Sequence, residues 1–166
     1  MMMGTYVSQL EKMVFLDNDL SQVPEVIDTR FGKITLRRDA AVSFPRGLLG
    51  MPAKRNFFVT DFPSEKLSKF KLLQCLDDYN LSFITLPLAV TSHNGIIAPE
   101  DIKLACADLG IRPENLMVLL VTSVHRSPEN VTISVNARAP LLIDTSLKLA
   151  AQYVFHNEKY SVQHYI

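Results

Sequence analysis

Ser123 and His125 are the two residues whose types and spacing come nearest to reaction chemistry. A serine and a histidine suit acyl transfer when a carboxylate from elsewhere orients the imidazole, because such sites assemble from distant segments. Alternate residues of a strand share a face, so in a strand the two side chains point the same way. No glycine-flanked nucleophile elbow surrounds Ser123, however, and a small β-barrel hydrolase using Ser123 and His125 stands only as an alternative reading. Asp77 and Asp78 have the form of paired carboxylates, but the polar run Asp77-Asp78-Tyr79-Asn80 between two apolar segments predicts a turn. The four histidines, His93, His125, His156 and His164, include no pair at helical i, i+4 spacing. His156 and His164, eight positions apart, are a weak metal pattern and read as ordinary surface. Cys75 and Cys106 lie 31 positions apart in apolar surroundings and predict buried free thiols, not a zinc site or redox pair. Neither GxGxxG nor GxxxxGK[ST] nor HExxH occurs. The expectation is a protein without a catalytic site, metal or cofactor.

The totals point the same way. At 166 residues the chain suits one domain with a sizeable core. Hydrophobic residues make up 48% and charged residues 20%, a globular composition. Lys+Arg and Asp+Glu balance at 17 each, without the basic excess that displaces phosphate counterions, so no nucleic-acid partner is expected. Arg37-Arg38 and Lys54-Arg55 are only pairs. No apolar run reaches the ~18 residues of a membrane span. The N-terminus has no basic stretch leading into a long apolar one, so a cytoplasmic location is the default.

The elements that would position any site are mostly short strands. Residues 1–25 have weak periodicity and predict a mobile N-terminal extension, with Met13-Val14-Phe15-Leu16 as a small apolar island. Ordered structure is predicted from Val26. The runs 26–31 and 34–37 around Gly32 read as a hairpin. Phe44-Pro45-Arg46-Gly47-Leu48-Leu49-Gly50 predicts a tight turn that tucks Leu48 and Leu49 into a core. Residues 56–60, 70–76 and 81–86 follow as buried or strand segments, and Pro87 is expected to end regular pairing. Pro99, Glu100 and Asp101 open a helix over 99–109, whose apolar positions are Ile102, Ala105, Cys106 and Leu109, and Gly110 stops it. Residues 116–124 predict a central strand, and 131–135, 141–143 and 152–155 further strands, with a short helix over 147–151 as an option capped by Thr145 or Ser146. Together these predict a mainly β fold: a single antiparallel β-barrel-like domain over residues 26–166 with one or two short helices.

The order of these segments resembles the flagellar assembly factor FliW family. Three blocks carry the likeness. The first is Thr29-Arg30-Phe31-Gly32-Lys33-Ile34 followed by Phe44–Gly50, similar to the family's first strand pair and its Phe-x-x-Gly-Leu-x-Gly turn. The second is Leu73-Gln74-Cys75-Leu76-Asp77-Asp78 with Leu81-Ser82-Phe83-Ile84 and Pro87. The third runs from Val135-Asn136-Ala137-Arg138-Ala139-Pro140 to Ile143, with Gln152 and Tyr160-Ser161-Val162. Met51, Ala137 and Asp144 depart from the family's usual Phe, Leu and Asn, and Thr91–Ala98 lacks its usual aromatic.

The resemblance implies a cytoplasmic, non-enzymatic protein that binds flagellin before export. It also implies binding of the translational repressor CsrA, so that free flagellin releases the repressor by exchange of partners. A flagellin-only chaperone is the narrower version of that expectation. Neutral charge fits antagonism through the repressor protein itself, without direct contact to nucleic acid or membrane. The candidate partner-binding residues are Phe83, Leu86, Pro87, Asn136 and Arg138, because an apolar groove on a barrel suits the amphipathic helices of flagellin termini. Asn136, between Val135 and Ala137, must satisfy its amide on local backbone or on a partner.

Overall fold

Two-residue alternation and short turns make most of this chain strand. The computed structural model describes residues 25–166. The expected N-terminal extension, with its Met13–Leu16 island, lies outside the described residues except for Glu25, which begins the first strand one residue earlier than predicted. Strands β1 (Glu25–Thr29) and β2 (Gly32–Leu36) form the predicted hairpin, with Thr29 opposite Gly32. Thr29 closes its turn by donating from Oγ1 to the Gly32 carbonyl (2.7 Å) and accepting the Phe31 N–H (3.1 Å).

The remaining elements build a closed barrel. They are β3 (Val42–Ser43), β4 (Asn56–Asp61), β5 (Lys71–Cys75), β6 (Ser82–Leu88), helix α1 (Pro99–Leu109), β7 (Leu116–Arg126), β8 (Val131–Val135), β9 (Leu141–Asp144), β10 (Leu149–Gln152) and β11 (His164–Tyr165). The sheet runs β7-β6-β5-β4-β3-β10-β9, and β9 pairs back onto β7, from Leu116 opposite Asp144 to Leu119 opposite Leu141. Closure removes the open edges that make a free sheet prone to pairing with strangers. Every pairing is antiparallel except β3 with β10, where Ser43 meets Leu149 in parallel. Beyond the barrel rim the long β7 continues into a ribbon with β8 and β11.

The pleat divides the side chains into an interior and an outer set. The interior is filled by Val42, Phe44, Phe57, Leu73, Cys75, Leu119, Leu141, Ile143 and Ala150, with Leu48 added from the turn after β3. Phe44 and Phe57 have no exposed area and meet edge to face at 5.2 Å, a geometry that adds about 0.5–1.5 kcal/mol to the burial itself. Outside, the β1–β2 hairpin brings Ile27 and Ile34 onto Phe62, Phe70 and Leu72. On the other flank α1 brings Ile102 and Ala105 onto Val118, Leu120 and Leu142. Both faces of the barrel wall are therefore apolar over much of its area, and only one face of each strand is required to fill the barrel.

Helix α1 has the predicted bounds, and Gly110 ends it in the left-handed region (φ 70°). Its Ile102, Ala105 and Cys106 are buried, while Leu109 stands more open than its spacing suggested. Other expectations are corrected. Pro87 does not end β6: it lies opposite Leu119 inside the strand. It is tolerated because β5 accompanies β6 only as far as Thr85, which leaves one edge of β6 without a ladder at Pro87. The optional helix over 147–151 is absent. Residues 145–148 turn, with Lys148 at φ 55°, and Leu149–Gln152 is strand, whereas 153–155 carry no regular structure. Leu49, expected in the core, is 57% exposed; only Leu48 enters the interior.

Candidate functional site

The chemistry-bearing residues are dispersed and internally engaged. Ser123 and His125 lie on the same face of β7, but the imidazole Nε2 meets Ser134 Oγ at 2.8 Å and Gln163 Nε2 at 3.3 Å. Among the described residues no carboxylate hydrogen-bonds His125, and Ser123 is exposed without a bond to the imidazole. The nucleophile–base–acid relay needed for acyl transfer is not assembled. Cys75 and Cys106 are buried and free, and burial pushes both thiols up, away from the reactive thiolate. Asp77 accepts the backbone N–H groups of Arg55 and Asn56, each at 2.9 Å, and these bonds hold its carboxyl below the usual range. Asp78 accepts the Asn80 N–H at 3.0 Å. The acidic pair thus builds the predicted turn and ties it to β4. No group of three or more His, Cys, Asp and Glu among the described residues is placed to hold a metal.

The five candidate contact residues occupy different surfaces. Phe83 packs against the barrel interior, together with Val59, Leu81 and Val121. Pro87, four positions further along β6, lies on the same side of the strand as Phe83. Leu86 points the other way and packs against both outer clusters. The Asn136 side-chain oxygen is engaged locally: Oδ1 accepts the Ala139 N–H at 3.0 Å, while the backbone N–H of Asn136 donates to the Val121 carbonyl (2.9 Å). The Arg138 backbone is held by Ser161 and Phe155, but its half-buried side chain forms no ion pair among the described residues.

What the fold does bring together is the set of motif segments. In the turn after β3 the Gly47 N–H donates to the Phe44 carbonyl (2.9 Å), and Leu48 and Met51 bond to each other through their backbones. Gly47 (φ 67°) and Gly50 (φ 77°) occupy the left-handed region that these two successive turns require. Leu49, at the tip, donates its N–H to Gln152 Oε1 at 2.8 Å, and Gln152 Nε2 donates to the Ala139 carbonyl at 3.2 Å. One glutamine side chain therefore joins the Phe44–Gly50 turn to the Asn136–Pro140 segment. At the β5–β6 turn, Gln74 plays the matching part. It is fully buried, donates to the carbonyls of Cys75 (2.9 Å) and Tyr79 (3.1 Å), and accepts from Ser82.

The profile of the family described as FliW protein matches residues 25–166. The chain belongs to the FliW family. Among curated relatives, the protein named flagellar assembly factor FliW of Geotalea uraniireducens is 29% identical over 140 residues, spanning 84% of this chain and 82% of its own. The protein of the same name from Clostridium novyi is 30% identical over 137 residues, spanning 80% of this chain and 90% of its own. The Leptospira interrogans protein is 28% identical over 143 residues. A crystal structure of the flagellar assembly factor FliW superposes with a TM-score of 0.63 at 19% identity, covering 85% of this chain and 96% of that one, and confirms the fold.

In this FliW-family chain two concave surfaces flank α1. A cleft of about 430 Å³ is lined by Val90, Ile102, Cys106, Pro113 and Leu116, with Glu100 and Lys103 at its rim. A second, of about 610 Å³, runs along His93–Glu100 and against Lys159 and Tyr160. Asn94 shapes the loop between them: its Oδ1 accepts the N–H groups of Ile96 and Ile97, both at 2.9 Å, and its Nδ2 donates to Ala89. Sequence reasoning missed this loop, because its residues carry neither reactive groups nor periodicity. The Asn94-Gly95 pair was the available signal for a tight turn. No helix among the described residues is long and apolar enough to cross a membrane.

Proposed function

We propose that this chain is a non-catalytic flagellar assembly factor of the cytoplasm that binds flagellin and the translational repressor CsrA in alternation. The observation that carries the reading is membership in the FliW family across residues 25–166, the whole of the described fold. The dispersal of Ser123, His125 and the carboxylates favours binding over catalysis. The proposed mechanism is competition between equilibria: flagellin captures the factor, the repressor is set free, and translation falls until export removes the excess subunit. Such an exchange needs only mutually exclusive binding, whose coupling is reciprocal. Leu86, Pro87, Asn136 and Arg138 are proposed contact residues, with Phe83 supporting them from the barrel interior.

Titration of the purified protein with flagellin and with CsrA, followed by displacement of one partner by the other, tests the proposal. Binding of both with mutual displacement is the expected result. Binding of neither partner refutes it, and binding of flagellin alone replaces it with a chaperone that lacks the regulatory arm.

A further inference from the structure

Helix α1 starts without a cap of its own. The residue at its N-cap is Ala98, whose side chain has no atom to accept a first-turn N–H, and Pro99 follows at the first helical position. The Ala98 N–H instead donates to the Tyr160 hydroxyl at 3.0 Å, and that hydroxyl donates to the carboxylate of Asp101. Asp101 is the third helical residue, the position from which an acidic side chain in a capping box reaches back to the N-cap N–H. Here a tyrosine hydroxyl from the C-terminal tail stands between the two and bridges them, while the first-turn N–H groups receive no side-chain cap.

Two further contacts bind the same tail to the helix. Lys159 Nζ reaches the Asp101 carboxylate at 2.9 Å. Tyr153 donates to Asp108 in the last turn of α1. Between these ends, Phe155 lies 5.3 Å from the Tyr153 ring and 4.9 Å from the Tyr160 ring, so three aromatics form one continuous strip. Phe155 and Tyr160 also belong to the outer core that α1 covers. Ala98 is the last residue of the 93–98 loop that lines the cleft of about 610 Å³, and Tyr160 lines the same cleft.

We propose that residues 153–160 are a clasp: the Tyr160 hydroxyl ties the Ala98 N–H at the end of the 93–98 loop to the Asp101 carboxylate in the first turn of α1, and thereby holds that loop in place beside the cleft. Releasing the hydroxyl frees the loop and the first turn of α1 together while the barrel stays intact. The clasp is independent of which partner the protein binds, and its test reads the structure alone.

Hydrogen exchange of the full chain, resolved by residue, compares the native protein with Tyr160→Phe, which keeps the ring on Phe155 and removes only the hydroxyl. The expected result is exchange on the order of 10-fold faster for the amides of residues 96–104, the effect of losing a charge-assisted hydrogen bond, with β4–β7 unchanged. Unchanged exchange at residues 96–104 overturns the proposal. So does an equal acceleration throughout the barrel, which signals general destabilisation.

Discussion

Replacing Gln152 tests whether the joined motif segments depend on one side chain. Gln152 accepts from Leu49 and donates to Ala139. The two ends differ in environment. Leu49 is exposed, so water replaces its acceptor when the side chain is removed, at little cost. Ala139 is 3% exposed, and its carbonyl loses its donor in a dry setting. An orphaned buried acceptor costs about 1–3 kcal/mol. Gln152→Ala is therefore expected to lower stability by about 1–3 kcal/mol, a fall in Tm of roughly 4–12 °C for a domain of this size. Gln152→Glu separates the two bonds. A carboxylate still accepts from Leu49 but has no N–H for Ala139, and it sets negative charge against that carbonyl. The glutamate variant, though nearly the same shape, should lose at least as much as the alanine variant. Urea denaturation with matched m-values measures both. A Gln152→Glu protein as stable as the native one, or a Gln152→Ala loss below about 0.5 kcal/mol, refutes the reasoning.

Two further predictions follow from the same surfaces. At Gly47 a Cβ would fall 2.5 Å from the Met51 carbonyl oxygen, whereas at Gly50 it meets open space, both at positive φ. Gly50→Ala should cost only the left-handed backbone penalty of about 1–2 kcal/mol, and Gly47→Ala clearly more, as thermal unfolding will show. The carboxyls of Asp101, bonded by Tyr160 and Lys159, and of Asp77, bonded by Asn56 and Arg55, are held low in the fold. Their contribution to stability is complete above the unfolded value of about 3.9 and disappears as pH falls through the lower folded value, so Asp77→Asn should flatten the acid limb of a stability–pH curve.

The parts of the fold legible in the sequence are those set by local chemistry. The β1–β2 hairpin follows from Gly32 between two β-prone runs, and α1 follows from Pro99, two acidic residues in the first turn and Gly110. The elements that eluded the sequence are imposed from a distance. Leu149-Ala150-Ala151-Gln152 has few residues with strand preference, yet it is strand because β9 and β3 lie on either side of it. β6 conceals its inward side because both its faces are apolar: Phe83 fills the barrel, while Ile84 and Leu86 meet the coverings outside. The candidate site was legible as motif segments and illegible as geometry. Gln152 stands 103 positions from Leu49, and Tyr160 stands 59 from Asp101. No local pattern encodes bonds of that range.

The packing also restricts where binding can occur. A seven-stranded barrel leaves only enough interior for side chains, and here all seven strands contribute to that filling. The partner recognition proposed for this chain would therefore use the outer surface. That surface is not uniform: the hairpin covers one flank and α1 the other, and the two clefts meet at His93, Pro99 and Glu100 beside the start of α1. The loop between β6 and α1 is held by the side chains of Asn94 and Tyr160, not by a sheet ladder. Segments fixed by a few side-chain bonds open at lower cost than those fixed by a closed ladder. The structure thus sets a closed barrel beside a loop held by a few side-chain bonds, and on the proposed reading the loop is the part whose shape a bound partner would change.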